Sequence, residues 1–186
     1  GRCFDIGRTV SQALHAFRRT GESYSGSTDP NSAGNGCLMR LAPVPMFFFP
    51  DREAAIAMSG ESSRTTHGAQ ECIEASQLFG AMLFAALSGC SRDEILFHHG
   101  IEITGSDKLR RGAAGNYRHS TEADIQGSGY VVESLEAALW CFLNTNSFRD
   151  AVLRATNLGR DADTTAAICG QLAGAYYGES GIPHEW

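Results

Sequence analysis

Apolar residues recur three and four positions apart along most of this chain, and no other feature constrains its fold as strongly. In "FDIGRTVSQALHAFRRTG" the spacing runs through Ile6, Val10, Leu14 and Phe17, and Gly21 can end the element. "GAQECIEASQLFGAMLFAALSG" is the longest such stretch; Ile73, Phe79, Leu83 and Leu87 fall on the side expected to be buried, with Gly89 behind them. "GYVVESLEAALWCFLNT" turns Val131, Leu135, Leu139 and Phe142 inward. "NGCLMRLAP" reads as a short helix stopped by Pro43 and Pro45. "PDREAAIAMSG" opens with a proline and acids suited to a first turn. "SRDEILFHH" begins with a capping box of Ser91 and Glu94. "SFRDAVLRATNLG" adds one more helix, and the polar, Gly-rich stretch 103–128 reads as a long loop. Strand alternation and internal repeats are absent. The spacing predicts an all-α fold of about seven or eight helices of ordinary length.

The chain's 186 residues suggest one domain. Hydrophobic residues make up 42% and charged residues 19%, an ordinary globular composition that excludes a disordered chain. The net charge of -6 and the lack of a Lys/Arg cluster argue against a nucleic-acid binder; "KLRRG" is too short a run to count. No apolar run approaches the ~20 residues that span a bilayer, so no membrane partner is expected. The six cysteines, Cys3, Cys37, Cys72, Cys90, Cys141 and Cys169, form no C-x-x-C pair. They are expected as reduced thiols in a cytoplasmic protein rather than a disulfide frame or zinc site.

Chemistry concentrates in four stretches. "GRDADTTAAICGQLAGAYYG" puts Asp161, Asp163, Thr164 and Thr165 at the mouth of a helix built mostly from small residues. One reading makes Asp161 an N-cap and Asp163 a first-turn acid, both favoured by free N–H groups and the helix dipole. The other notes that Ala166, Ala167, Gly170, Ala173 and Gly174 let neighbours approach closely, so that the helix is central and its acids must be compensated. A hard divalent cation such as Mg²⁺ would compensate them. In "NSAGNGCLMRLAP", Gly34 and Gly36 permit positive φ and close backbone approach, Asn35 can donate and accept, and the run into a helix start could suit a phosphate or serve shape alone. Arg40 could grip phosphate or pair with a carboxylate. In "SRTTHGAQ", His67 stands at a loop-to-helix junction, as a cap or surface residue or as a site residue; His98 and His99 look structural. In "GSGYVV", Gly127 and Gly129 free the backbone before a helix, and Tyr130 could stack on a ring or sit in the core. Nucleophile-elbow, P-loop and Rossmann motifs are missing.

Taken in order, "CFDIG", "GNGCLMRLAPV", "TTHG", "GSGYVVESLEAAL" and "NLGRDADTTAAICGQLAGAYYG…IP" resemble the ADP-ribosylglycohydrolase family, whose members include dinitrogenase reductase-activating glycohydrolase-like proteins. The pieces span nearly the whole chain. The resemblance implies a compact, orthogonal multi-helix bundle around a two-metal site holding Mg²⁺ or Mn²⁺. Asp161, Asp163 and Thr164 would be metal ligands, with Asp163 catalytic. Asn35, Gly36 and His67 would line the ADP-ribose site, and Gly129 and Tyr130 would border it. The implied activity is removal of ADP-ribose from a modified protein side chain or from a small molecule. The alternatives are a catalytically inactive, crystallin-like binding or structural relative, and a hydrolase of another nucleotide-like substrate.

Two departures from the family pattern stand out. Glycine is commoner in the family where this chain has Arg160. The family's upstream Thr-Asp-Asp motif, which supplies further metal ligands, is missing from these residues, so the chain reads as one domain over 1–186, incomplete at both ends. One Asp-x-Asp-Thr cluster supplies three donors against the about six that an octahedral ion takes. The expectation is therefore that this piece alone binds metal poorly and is inactive, and that apolar surface left open would let copies pair as a homo-oligomer.

Overall fold

The computed structural model describes residues 6–186. Residues 3–5 of the "CFDIG" stretch, Cys3 among them, lie outside the described residues. Among the described residues nine α-helices succeed one another: α1 (Arg8–Thr20), α2 (Pro43–Phe48), α3 (Arg52–Arg64), α4 (Gln70–Leu87), α5 (Arg92–Phe97), α6 (Asp107–Ala113), α7 (Val131–Leu143), α8 (Phe148–Asn157) and α9 (Ala162–Tyr177). Short 3₁₀ turns fill several connections. Strand-like pairing among the described residues is limited to two isolated bridges, Ser27 with His67 and Gly34 with Tyr130. The all-α class expected from the spacing is the observed one.

The helices begin where side chains can take up their free N–H groups. Asp51 accepts from the Ala54 N–H at 3.0 Å to start α3. Ser91 and Glu94 form the expected capping box of α5. The core runs along α4, α7 and α9, which pack on one another, with α3 against α4 and α8 against α9. Phe79, Leu83, Leu135, Leu139 and Phe142 are buried as predicted. Each such side chain contributes roughly 1.5–3 kcal/mol by leaving water. Ile73 and Leu87 are half-buried instead. The small-residue face of α9 meets α8, where Gly170 looks onto Val152 and Gly174 onto Phe148 at ordinary contact distances.

Several expectations fail for local reasons. Pro43 and Pro45 do not stop a helix; Pro43 opens α2, where a missing N–H costs nothing. The stretch 103–128 is not one loop. The Ser106 side chain accepts from the Leu109 N–H and starts α6, which Leu109 anchors in the core. The buried Glu74 carboxylate holds the entry to α6 by accepting from Thr104 Oγ1 at 2.8 Å and from the Thr104 and Gly105 N–H groups. Burial alone would raise the Glu74 pKa, but the bonds from Gln70, Thr104 and Gly105 outweigh it and hold the group below its ordinary value. Helix α1 forms as the spacing predicts, yet Ile6, Leu14 and Phe17 remain 43%, 46% and 47% exposed. Cys37, Cys72, Cys90, Cys141 and Cys169 are all free thiols. Among the described residues no helix is long and apolar enough to cross a membrane.

Candidate functional site

Helix α9 starts on a turn that the chain can barely accommodate. Gly159 has φ 75° and Arg160 comes next at φ 57°, a left-handed conformation that a side chain takes at a cost of roughly 1–2 kcal/mol. That geometry explains why glycine suits position 160. The Arg160 guanidinium donates to Gln126 Oε1 at 2.7 Å. The turn is pinned by the Asp161 N–H, which donates to the Gly127 carbonyl at 3.0 Å.

Asp161 occupies the N-cap position, but its side chain makes no capping bond. Its Oδ2 instead accepts from Asn35 Nδ2 at 2.6 Å. Asp163 is exposed in the first turn, Thr164 is buried, and the buried Thr165 Oγ1 has no partner among the described residues. The simple capping account therefore does not describe Asp161.

Asn35 is nearly buried, and its one amide nitrogen serves Asp161, Ser134 Oγ at 3.2 Å and the Ser128 carbonyl at 3.3 Å. Its side chain is thus engaged inside the protein and orients a carboxylate from far along the chain. Asn35→Ala is expected to destabilise the fold by about 1–3 kcal/mol, because it leaves the Asp161 and Ser134 oxygens short of a donor. Asn35→Asp, which sets two carboxylates face to face, should cost more. Urea-denaturation midpoints of the two variants check both expectations.

Gly34 and Gly36 are not among the glycines with positive φ. Close approach is what Gly36 provides: a Cβ there would sit 2.9 Å from His67 Cε1 and 3.3 Å from Nε2. The chain then makes a single 3₁₀ turn, Asn35–Cys37, so the expected helix start for a phosphate is not present. Arg40 neither faces a carboxylate nor lines the cleft; it bonds Ser62, Thr65 and Thr66.

His67 is 2% exposed and is held through its own backbone, N–H to the Ser63 carbonyl at 2.7 Å and carbonyl to Ser63 Oγ at 2.8 Å. Burial first, and the Arg40 charge second, lower its pKa to about 4 from 6.5. The ring is therefore neutral at pH 7. Between those two values the unfolded chain takes up a proton that the folded ring refuses, so stability falls as pH drops from about 6.5 toward 4. The contribution is at most about 3 kcal/mol. Buried His99, whose pKa burial also lowers, acts in the same direction. His67→Gln should flatten this acid limb in denaturant titrations run at pH 7 and pH 4.5.

Two backbone bonds draw the glycine turn against the start of α7, Asn35 N–H to the Gly129 carbonyl at 3.1 Å and Val131 N–H to the Ala33 carbonyl at 3.0 Å. The result is a cleft of about 450 Å³ lined by Gly34, Asn35, Gly36, His67, Asp161, Asp163 and Thr164, with Arg8 and Val10 of α1 and Met39 on its walls. A second depression of about 450 Å³ shares Thr9 and Gly34 and adds Gly129, Tyr130 and Asn31. A Cβ on Gly129 would lie 3.8 Å from Asp161 Oδ2, so the two openings adjoin. The Tyr130 hydroxyl donates to both Glu71 oxygens at 2.7 and 2.8 Å, and its ring lies 4.7 Å from Lys108 Nζ. Burial and the Glu71 carboxylate raise its pKa. Of the eight site residues that the family resemblance implies, the structure places Asn35, Gly36, His67, Asp161, Asp163 and Thr164 on the first cleft and Gly129 and Tyr130 on the adjoining depression, whereas Arg40 lines neither. Sequence reasoning missed Arg8, Met39, Ser128 and Ser134; only Ser134, a lone hydroxyl among the inward positions of α7, left a trace.

Asp161, Asp163 and Thr164 offer hard oxygens on one helical turn, the donor type that Mg²⁺ or Mn²⁺ takes. They fit as part of a coordination shell and do not complete one. Among the described residues no group of three or more His, Cys, Asp or Glu side chains gathers as a metal site would require.

Fold and cleft define an all-α protein in which an acid-mouthed helix meets a glycine turn backed by a neutral histidine. Comparison with known proteins makes the class specific: the model of the ADP-ribosylglycohydrolase family matches residues 1–186, and the chain belongs to that family. It is 44% identical over 186 residues to ADP-ribosylarginine hydrolase Tri1 of Pseudomonas putida (strain GB-1), covering 100% of this chain and 50% of that protein. It is 25% identical over 185 residues to the ADP-ribosyl-[dinitrogen reductase] glycohydrolase of Rhodospirillum rubrum, covering 60% of that protein. A solved ADP-ribosylglycohydrolase-related protein complex superposes with a TM-score of 0.84 at 37% identity, over 97% of this chain and 62% of that one. The chain thus spans half to under two thirds of the length of these relatives.

Proposed function

We propose that the protein carrying this chain hydrolyses the glycosidic bond that joins ADP-ribose to an arginine side chain of a modified protein. The observation that carries the reading is the convergence of Asp161, Asp163 and Thr164 with Gly36 and His67 on one cleft, in a chain 44% identical to an ADP-ribosylarginine hydrolase. Asp161, Asp163 and Thr164 are the residues that would hold Mg²⁺ or Mn²⁺ there. When bound, such ions supply Lewis-acid stabilisation of negative charge on oxygen. Asn35 keeps Asp161 oriented toward the cleft. Asp163, exposed within the cleft, orients a water and takes its proton as the water oxygen bonds to the anomeric carbon. The carbon–nitrogen bond to the guanidine breaks in the same event, through an oxocarbenium-like state; the nitrogen leaves with the electron pair and then receives from Asp163 the proton taken from the water, which returns the carboxylate to its starting form. His67 and the glycine turn bind the ADP-ribose, and Gly129 and Tyr130 border it. The five free thiols among the described residues suit a reducing compartment such as the cytoplasm.

The test incubates the full-length protein with an ADP-ribosylarginine peptide and Mg²⁺ and tracks free ADP-ribose by chromatography. Release that a chelator abolishes supports the reading; an intact peptide in the presence of Mg²⁺ or Mn²⁺ overturns it.

A further inference from the structure

Arg40 does not touch the cleft, yet it is tied to the residue that forms the cleft's back wall. Its Nη1 donates to Ser62 Oγ at 3.2 Å, and its Nη2 faces the Ser62 carbonyl at 3.0 Å, Thr65 Oγ1 at 3.2 Å and Thr66 Oγ1 at 2.7 Å. The last of these is the shortest. Thr66 Oγ1 in turn lies 2.9 Å from His67 Nδ1. We propose that Arg40 is a positioning residue which, through the Thr66 hydroxyl, locks His67 in the tautomer that presents an Nε2–H donor to the cleft.

Proton accounting along this chain of bonds selects the tautomer. A guanidinium only donates, so the Thr66 oxygen must accept from Arg40. Arg40 and His67 are the only partners of that hydroxyl among the described residues. If Nδ1 carried the ring proton and donated to Thr66, the nearly buried hydroxyl would keep a proton with no acceptor. If the hydroxyl donates to Nδ1, every proton in the chain of bonds is matched. The ring proton then sits on Nε2, the tautomer being set by the bond that the other nitrogen makes. Nε2 faces the glycine turn, 3.4 Å and 3.3 Å from where Cβ atoms on Gly34 and Gly36 would stand. No acceptor within the described protein is paired with it. A donor in that position suits an anionic or hydroxyl oxygen of a ligand, here a phosphate or ribose oxygen of ADP-ribose, and to that extent the inference rests on the proposed function. The Arg40 charge serves the same end by opposing a second proton on the ring.

Long-range proton–nitrogen correlation spectra of the imidazole in the ligand-free full-length protein test the tautomer directly. The wild type is expected to show Nε2–H with Nδ1 at the shift of a hydrogen-bonded acceptor, and Thr66→Val, which keeps shape but removes the hydroxyl, should leave Nδ1 at the shift of an unbonded acceptor. Arg40→Ala, which frees the Thr66 oxygen to accept from Nδ1–H, should give a mixture of tautomers, and Arg40→Lys, which restores a donor to Thr66, should recover the wild-type spectrum in part. ADP-ribose affinity, measured by calorimetry, should fall roughly tenfold in Thr66→Val, because the unanchored ring no longer holds its Nε2–H toward a ligand oxygen. An Nδ1–H ring in the wild type overturns the proposal, as does an Arg40→Ala ring that remains wholly Nε2–H. Should Thr66→Val fail to fold, the wild-type spectrum and Arg40→Lys decide alone. If the spectra behave as expected but ADP-ribose does not bind, the positioning role stands and the substrate reading fails.

Discussion

Asp163→Ala in the full-length protein is expected to lower the turnover of ADP-ribosylarginine by about 10²–10⁴-fold, the range associated with loss of a positioned acid–base group, while the fold survives. Asp163 is exposed, and removing a first-turn acid costs only about 0.3–1 kcal/mol of helix-dipole stabilisation. Asp161→Ala should remove activity to a similar degree and also destabilise the protein, because Asn35 Nδ2 then loses its closest acceptor, the oxygen 2.6 Å away. The pair separates chemistry from structure: both variants inactive, one of them with wild-type urea unfolding. A chelator should reproduce the Asp163→Ala phenotype in the wild type and change nothing further in the variant. Turnover that persists in Asp163→Ala, measured as released ADP-ribose over time, would remove Asp163 from the reaction and with it the metal-ligand assignment of the α9 mouth.

How far the sequence discloses this site differs from residue to residue. Asp161, Asp163 and Thr164 are legible because helix periodicity fixes them on one turn, and the helix behind them has few alternatives. Asn35 is legible as a polar residue between glycines, but not as the donor to Asp161, since nothing local links positions 126 residues apart. The glycines around it suggest two uses, positive φ or close approach, and only the packed His67 ring decides for the second. Arg40 is ambiguous for the same reason: a cation's partner is set by tertiary neighbours, and those turn out to be hydroxyls and a carbonyl rather than acids. Helix α6 escapes notice because its signal is a cap at Ser106 and one anchoring leucine within a polar, Gly-rich stretch. The open face of α1 is the converse case, where apolar spacing reports the helix correctly and says nothing of what, if anything, packs on it.

The second large effect is expected at a glycine with no chemistry of its own. Gly26→Ala should destabilise the protein by about 3 kcal/mol, the upper end of ordinary overpacking. A Cβ at Gly26 would sit 2.5 Å from the His67 nitrogen, 2.6 Å from the Thr66 carbonyl carbon and 2.7 Å from the Arg64 oxygen, all backbone atoms that no rotamer change can move aside. The crossing is reciprocal, since a Cβ on Gly68 would lie 2.6 Å from the Gly26 oxygen. Hydrogen bonds close it from both sides, Gly26 N–H to the Arg64 carbonyl at 3.0 Å and Gly68 N–H to the Ser27 carbonyl at 2.9 Å. Gly26 is not among the residues with positive φ, so alanine fits its backbone conformation and the loss can be assigned to crowding alone. Gly170→Ala, where a Cβ would meet Val152 Cγ2 at an ordinary 3.6 Å, is the matched stability control and should unfold no more easily than the wild type. The segment pushed by Gly26→Ala is the one that carries Thr66 and His67, so ADP-ribose binding should weaken even at temperatures where the variant remains folded. A Gly26→Ala protein with the wild-type urea midpoint would mean that the 26–28 run does not lie against 64–68, and the back wall of the cleft would have to be built differently.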